Sequence, residues 1–227
     1  MVIYVSTMHS AKHLIEMRDN MDPIVLRSLP EPENLKRLMK ILASLNIILC
    51  QEEWLRYHSF VQEWKENSSL AKIDNGAGDH LYILFAPEGT ILKGFDHESP
   101  LSPHAQVEYG IWPGIYEGLP VSLSSLLADE ALQSEDVTFC IWREASDSNW
   151  QIGNVEVPDG EDDGSGFLLG TIFPTAERFV DFAQGYFEIK LPLDIVTEIY
   201  EGAAITSEMI LKINPNRDPD KVLQELV

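Results

Sequence analysis

The sequence predicts an α+β fold, with an antiparallel sheet built from two β-hairpins and packed by an N-terminal helical pair and C-terminal helices. Three observations carry this. From Glu33 onward apolar residues recur at helical spacing, two later segments alternate between turn signals as hairpins do, and capped helical segments close the chain. Apolar residues make up 44% of the 227, which excludes a disordered chain and suffices for the core of a single α+β domain over 1–227.

At the start of the chain, Val2–Val5 reads as a short edge strand and Ser10–Arg18 as a helix capped by Ser10. Pro23, Pro30 and Pro32 then mark a loop. The clear helix follows, with Leu35, Leu38, Met39, Leu42, Leu45 and Ile48 or Leu49 on one face and Glu31 and Glu33 near its positive start. Trp54, Tyr57, His58, Val61 and Trp64 keep a helical spacing too. They predict a second helix from Glu52 to Glu66, antiparallel to the first.

Asn75-Gly76-Ala77-Gly78 is a turn. Leu81–Phe85 and Thr90–Phe95 then flank Ala86-Pro87-Glu88-Gly89 as a hairpin. Prolines and glycines over residues 96–120 indicate a long loop, a length associated with function or mobility. A helix capped by Ser122 is expected through Leu123, Leu126, Leu127 and Leu132. The second hairpin pairs Val137–Trp142 with Trp150–Ile152 across Ser146–Asn149. Its first strand is apolar on both faces and is expected to be covered on both. Helices are expected over 176–187, 193–201, 207–213 and 219–226. In the first of these, Phe179, Phe182, Ala183 and Tyr186 are expected to face the sheet.

Charge narrows the function. The formal net charge is −21, and residues 101–227 hold six basic against 23 acidic groups. Such a surface repels phosphate backbones, so nucleic acid is not expected as a partner; it suits a basic partner or, on the plain reading, is a solvated face that keeps the protein soluble. No stretch reaches the roughly 18–20 apolar residues of a membrane helix, so no membrane partner is expected. The absence of a secretory leader and two distant cysteines, Cys50 and Cys140, point to the cytoplasm.

The hairpin carries the main candidate site. Pairing Phe85 with Thr90 brings Tyr82 to Lys93, His80 to Phe95 and Asp79 to Asp96. Asp79, His80, Asp96, His97 and Glu98 then gather at the open end, with His104 a few residues on. Imidazoles and carboxylates of this kind serve a divalent metal, an acid/base pair or a partner surface; equally, they serve to tie a loop down. A second acidic run places oxygen donors at Asp159, Glu161 and Asp163. The twelfth position of a helical calcium loop would be Gly170, so that motif fails and a solvated loop is the plain reading. Trp112 is the tryptophan expected to be exposed and able to stack on a ligand. There is no nucleophile elbow, phosphate-binding loop, dinucleotide fingerprint or CxxC, so no cofactor is expected.

Residues 75–132 resemble the SUKH superfamily, whose bacterial members include immunity proteins of toxin systems. The resemblance is carried by Gly78-Asp79, the apolar strand, the turn at Gly89, the second strand, His97-Glu98 and the later Leu123–Leu127 segment. The whole chain also looks like an uncharacterised bacterial family, through Gly94-Phe95-Asp96-His97-Glu98-Ser99-Pro100, Thr138-Phe139-Cys140-Ile141-Trp142-Arg143 and the run from Asp163-Gly164 to Leu168-Leu169. The first resemblance, with the acidic second half, implies a non-enzymatic binding protein whose partner is a basic protein such as a toxin domain. The second implies no activity. A metal-dependent hydrolase built on the hairpin cluster is the alternative.

Overall fold

A computed structural model describes Leu26 and residues 28–226. The readings of residues 1–25 lie outside these. The described chain is α+β. Helix α1 spans Pro32–Leu49, and strands β1 (His58–Lys65), β2 (Ser68–Asp74), β3 (His80–Ala86) and β4 (Gly89–Phe95) follow. After the short helix α2 (Val121–Ser124) come β5 (Phe139–Glu144) and β6 (Gln151–Ile152). Helices α3 (Ser165–Leu169), α4 (Ala176–Tyr186), α5 (Leu193–Tyr200), α6 (Ser207–Ile213) and α7 (Pro219–Glu225) complete the chain. No described helix is long and apolar enough to cross a membrane.

The six strands form one sheet in chain order, and β2 through β6 pair antiparallel. The register of β3 on β4 is the one expected: Phe85 opposes Thr90, Tyr82 opposes Lys93 and His80 opposes Phe95. Both hairpins join the same sheet through β4 and β5, where Ile91 opposes Trp142.

The second helix predicted from Glu52 to Glu66 does not form, so the helical pair expected over residues 33–66 is not made. A 3-10 turn, Glu53–Leu55, lies between α1 and β1. Residues 57–65 are rich in aromatic and β-branched side chains, which suit a pleated strand, and Asn67 takes a left-handed turn (φ 57°) that returns the chain into β2. Tertiary pairing here outweighs a helical spacing of apolar residues. The expected Ser122-capped helix is likewise broken into α2 and two 3-10 turns, Ser125–Ala128 and Glu130–Leu132.

The described residues group into two compact units. One comprises residues 38–59 and 172–226. In it Asn46, fully buried, donates to Leu42 O and accepts from the Tyr57 and His58 backbone amides. Asn214 and Arg217 donate to the carbonyls of Ile47, Ile48 and Leu49, which the end of α1 leaves unpaired. Phe179 and Ala183 of α4 are buried. Phe182 lies against Phe173, Tyr57 and Tyr186, with ring centroids 4.6, 4.8 and 5.3 Å apart.

The other unit, residues 28–37 and 60–171, holds the sheet from Phe60 onward. Val137 to Trp142 is buried on both faces, as expected for a covered central strand. Cys140, Trp142, Tyr82, Leu84 and Ile91 pack on one face against Ile115, Leu123, Leu127 and Leu132. The β4–β5 connection is therefore the cover of that face.

Candidate functional site

The turn before β3 is held by side-chain oxygens. Asp74 Oδ1 accepts the Gly76 amide at 2.8 Å, and Asn75 Oδ1 accepts those of Ala77 and Asp79 at 2.8 and 3.1 Å. The β3–β4 register then sets Asp79 beside the start of the β4–β5 loop. Asp79 is 1% exposed. Its Oδ1 accepts the His97 amide at 2.9 Å and meets His97 Nδ1 at 2.6 Å, while Oδ2 accepts Asn75 Nδ2 at 2.5 Å. A carboxylate at this distance fixes the ring proton on Nδ1. Asp96 is also buried. Its Oδ1 accepts the Glu98 amide at 2.9 Å, and its own amide donates to Thr138 Oγ1 at 3.2 Å. Asp79, Asp96 and His97 each offer one donor atom within 4.8 Å of the others.

The other expected members stand apart. Glu98 is exposed. His104, exposed on the loop, bonds Asp136 Oδ1 at 2.9 Å and lies 5.2 Å from the Tyr109 ring. His80 is buried against Lys93, whose Nζ meets His80 Nε2 at 3.1 Å and also donates to Leu132 O and Gln133 O at 2.9 and 2.8 Å. Lys93 is fully buried, and burial brings its ammonium down to about 7. Burial, reinforced by the charges of Lys93 and Lys72, brings His80 down to about 4. His80 thus serves as a neutral acceptor for a buried lysine, and the pair belongs to the core.

The acidic loop, read from sequence as separate, comes to the hairpin mouth. Ser99 Oγ donates to Asp162 O at 2.9 Å. Gly164 has φ +80°, and a Cβ there would lie 2.3 Å from Asp96 Cβ, so only glycine fits this approach. Asp159 and Glu161 face solvent, while Asp163 turns inward and is 4% exposed. Among the described residues these three form no group able to hold a metal. Asp163 Oδ1 accepts the Ser165 amide at 2.9 Å, and burial pushes its carboxyl up. Its side chain lines a cavity of about 260 Å³ with Thr138, Phe139, Cys140, Ile152, Gly153, Val155 and Val157. Trp112 is half-buried rather than exposed; it packs on the core, with Nε1 donating to Glu156 O at 3.2 Å.

Sequence reasoning missed Lys93, Asn75 and the inward turn of Asp163. Lys93 carried a signal, as the one cation in a strand otherwise apolar on both sides. The Asp163 arrangement depends on a contact between chain segments 60 residues apart and left none.

No family model, no curated protein and no solved structure matches this chain.

Proposed function

We infer that this chain is a non-enzymatic binding protein of the immunity type, which captures a basic protein partner on an acidic surface. The observation that carries the reading is the loop between β4 and β5. Leu101, Pro103 and Ile115 anchor it in the core, while Val107, Tyr109, Ile111 and Val121 stand exposed on it, as do the acids Glu108 and Glu117. Four large apolar side chains presented by one anchored loop suit a partner's apolar surface, and the loop's negative charge suits its basic rim. The hairpin mouth supports the same reading. Its buried carboxylate is engaged by three donors, an arrangement that ties the loop to the sheet.

Proteins captured from the native host at low salt, identified and re-purified, provide the test. A basic partner is expected, with an association rate that falls as sodium chloride rises. The double variant V107S/Y109A is expected to bind at least ten-fold more weakly with an unchanged melting temperature. A partner of neutral charge, or binding indifferent to both salt and the loop, defeats the reading.

A second reading rests on the three donors Asp79, Asp96 and His97. One imidazole and two carboxylates suit a divalent transition metal, which would acidify a bound water. Elemental analysis and the melting temperature with added Zn²⁺ or Mn²⁺ decide it. Substoichiometric metal and no thermal gain exclude it.

A further inference from the structure

Strand β6 pairs with β5 over only Ile141–Ile152 and Trp142–Gln151. Beyond Ile152 the chain parts from β5, and the cavity opens between residues 138–140 and 152–157. Phe139, Ile152, Val155 and Val157 give its wall apolar side chains, Thr138 and backbone give it polar groups, and Asp163 is the one charged residue in the lining. The acidic loop turns Asp163 inward, and the next residue, Gly164, approaches Asp96 closely. Among the described residues Asp163 forms no ion pair, and its Oδ1 accepts the Ser165 amide at 2.9 Å. Burial favours the neutral acid at Asp163, and a cation brought beside it would favour the carboxylate. A metal ion is a poor candidate, because hard cations take six or more oxygens and Asp163 is the one carboxylate in the lining. An ammonium or guanidinium on an aliphatic stem meets both demands, charge at Asp163 and methylenes along the valines.

We propose that this cavity is the socket for a lysine or arginine side chain of the bound partner, with Asp163 as its counter-charge. The proposal rests on the binding reading above and adds the group that is recognised. Asp159 and Glu161, exposed on the same loop, would draw the basic surface toward it. About 260 Å³ accommodates one such side chain.

The probe is N-acetyl-lysine-N-methylamide, titrated into the isotope-labelled full chain and followed at the amides of Thr138, Gly153 and Ser165. Its control, N-acetyl-norleucine-N-methylamide, has the same stem without the ammonium. Saturable shifts at those amides are expected with the lysine compound, at least ten-fold weaker with the norleucine compound and at least ten-fold weaker in Asp163→Asn. Equal binding of the two compounds, or no saturable shift with the lysine compound, overturns the socket. The comparison of compounds on the unmodified chain stands even if the variant misfolds. Lysine-compound binding without salt-sensitive capture of a basic protein would support the cavity as a cation site and remove the partner. Capture without lysine-compound binding would overturn the socket alone.

Discussion

At the scale of single residues, two buried groups set the electrostatics. Asp79 is an acceptor for three donors in a site closed to water. Asp79→Asn removes the charge from those hydrogen bonds and is expected to cost about 3 kcal/mol in urea denaturation. His97→Ala is expected to cost less, about 1–2 kcal/mol, because the His97 side chain is 44% exposed and the backbone donor stays. The reverse order would show that the imidazole, rather than the carboxylate, holds the loop. Lys93 makes a prediction about pH. Its folded value, about 7, lies below its ordinary 10.5, so between these the unfolded chain binds the extra proton. Stability therefore rises with pH above 7, by up to about 1.4 kcal/mol per unit. His80, brought from 6.5 to about 4, acts in the same direction between those values. The hydroxyls of Tyr82 and Tyr116 and the Cys140 thiol, all raised by burial, oppose the trend once their unfolded forms ionise, the thiol near pH 9 and the phenols near pH 10. Denaturation midpoints from pH 7 to 8.5 isolate the lysine. Lys93→Met is expected to flatten the slope there, and a slope that persists in the variant assigns it elsewhere.

At the scale of elements, packing geometry decides what the sequence leaves open. Gly94 lies under the Phe139 ring, where a Cβ would come within 2.1 Å of ring carbons. Gly94→Ala is expected to cost about 1–3 kcal/mol by overpacking, read from the melting temperature. A neutral effect would mean that β5 shifts freely on β4. Phe182→Ala is expected to cost about 2–3 kcal/mol, below the range for a fully buried phenylalanine, because Phe182 is half-buried though stacked on Phe173. The β3–β4 hairpin was legible because the turn Ala86–Gly89 fixes a count, and counting outward placed Asp79 beside Asp96. The last helices were legible through their caps at Thr206 and Asp218, both of which accept the expected backbone amide. β1 was misread because Trp54, Tyr57, Val61 and Trp64 satisfy a helical period by chance while β2 offers a strand to pair with. β2 itself, Ser68–Asp74, has few strong strand formers, and its pairing with β3 supplies what propensity does not. The site was legible where it is local and lost where it is not: Asp79, Asp96 and His97 follow from one hairpin, whereas Gly164 and Asp163 arrive by long-range packing.

At the scale of the whole molecule, the formal charge of −21 is the dominant fact. Pairs such as Arg56–Glu225 and Arg143–Glu31 supply local attraction, but the 37 acids outnumber the 16 bases more than two to one, so repulsion dominates the net balance. Self-repulsion of this size favours expanded states, and salt relieves it, since the screening length falls from about 10 Å at 0.1 M to about 3 Å at 1 M. The same screening weakens the approach of a basic partner. Salt should thus act with opposite signs on two measurements. The melting temperature of the free chain is expected to rise by a few degrees as sodium chloride goes from about 0.02 to 0.5 M, the shift expected for a gain of about 1 kcal/mol in a chain of this length. Magnesium chloride at matched ionic strength is expected to give a similar rise, while a clearly larger one would indicate a discrete divalent site in place of general screening. A fall in melting temperature with salt would mean that the ion pairs outweigh the repulsion. In that case the acidic surface is internally balanced, and its pull on a basic partner is correspondingly short-ranged.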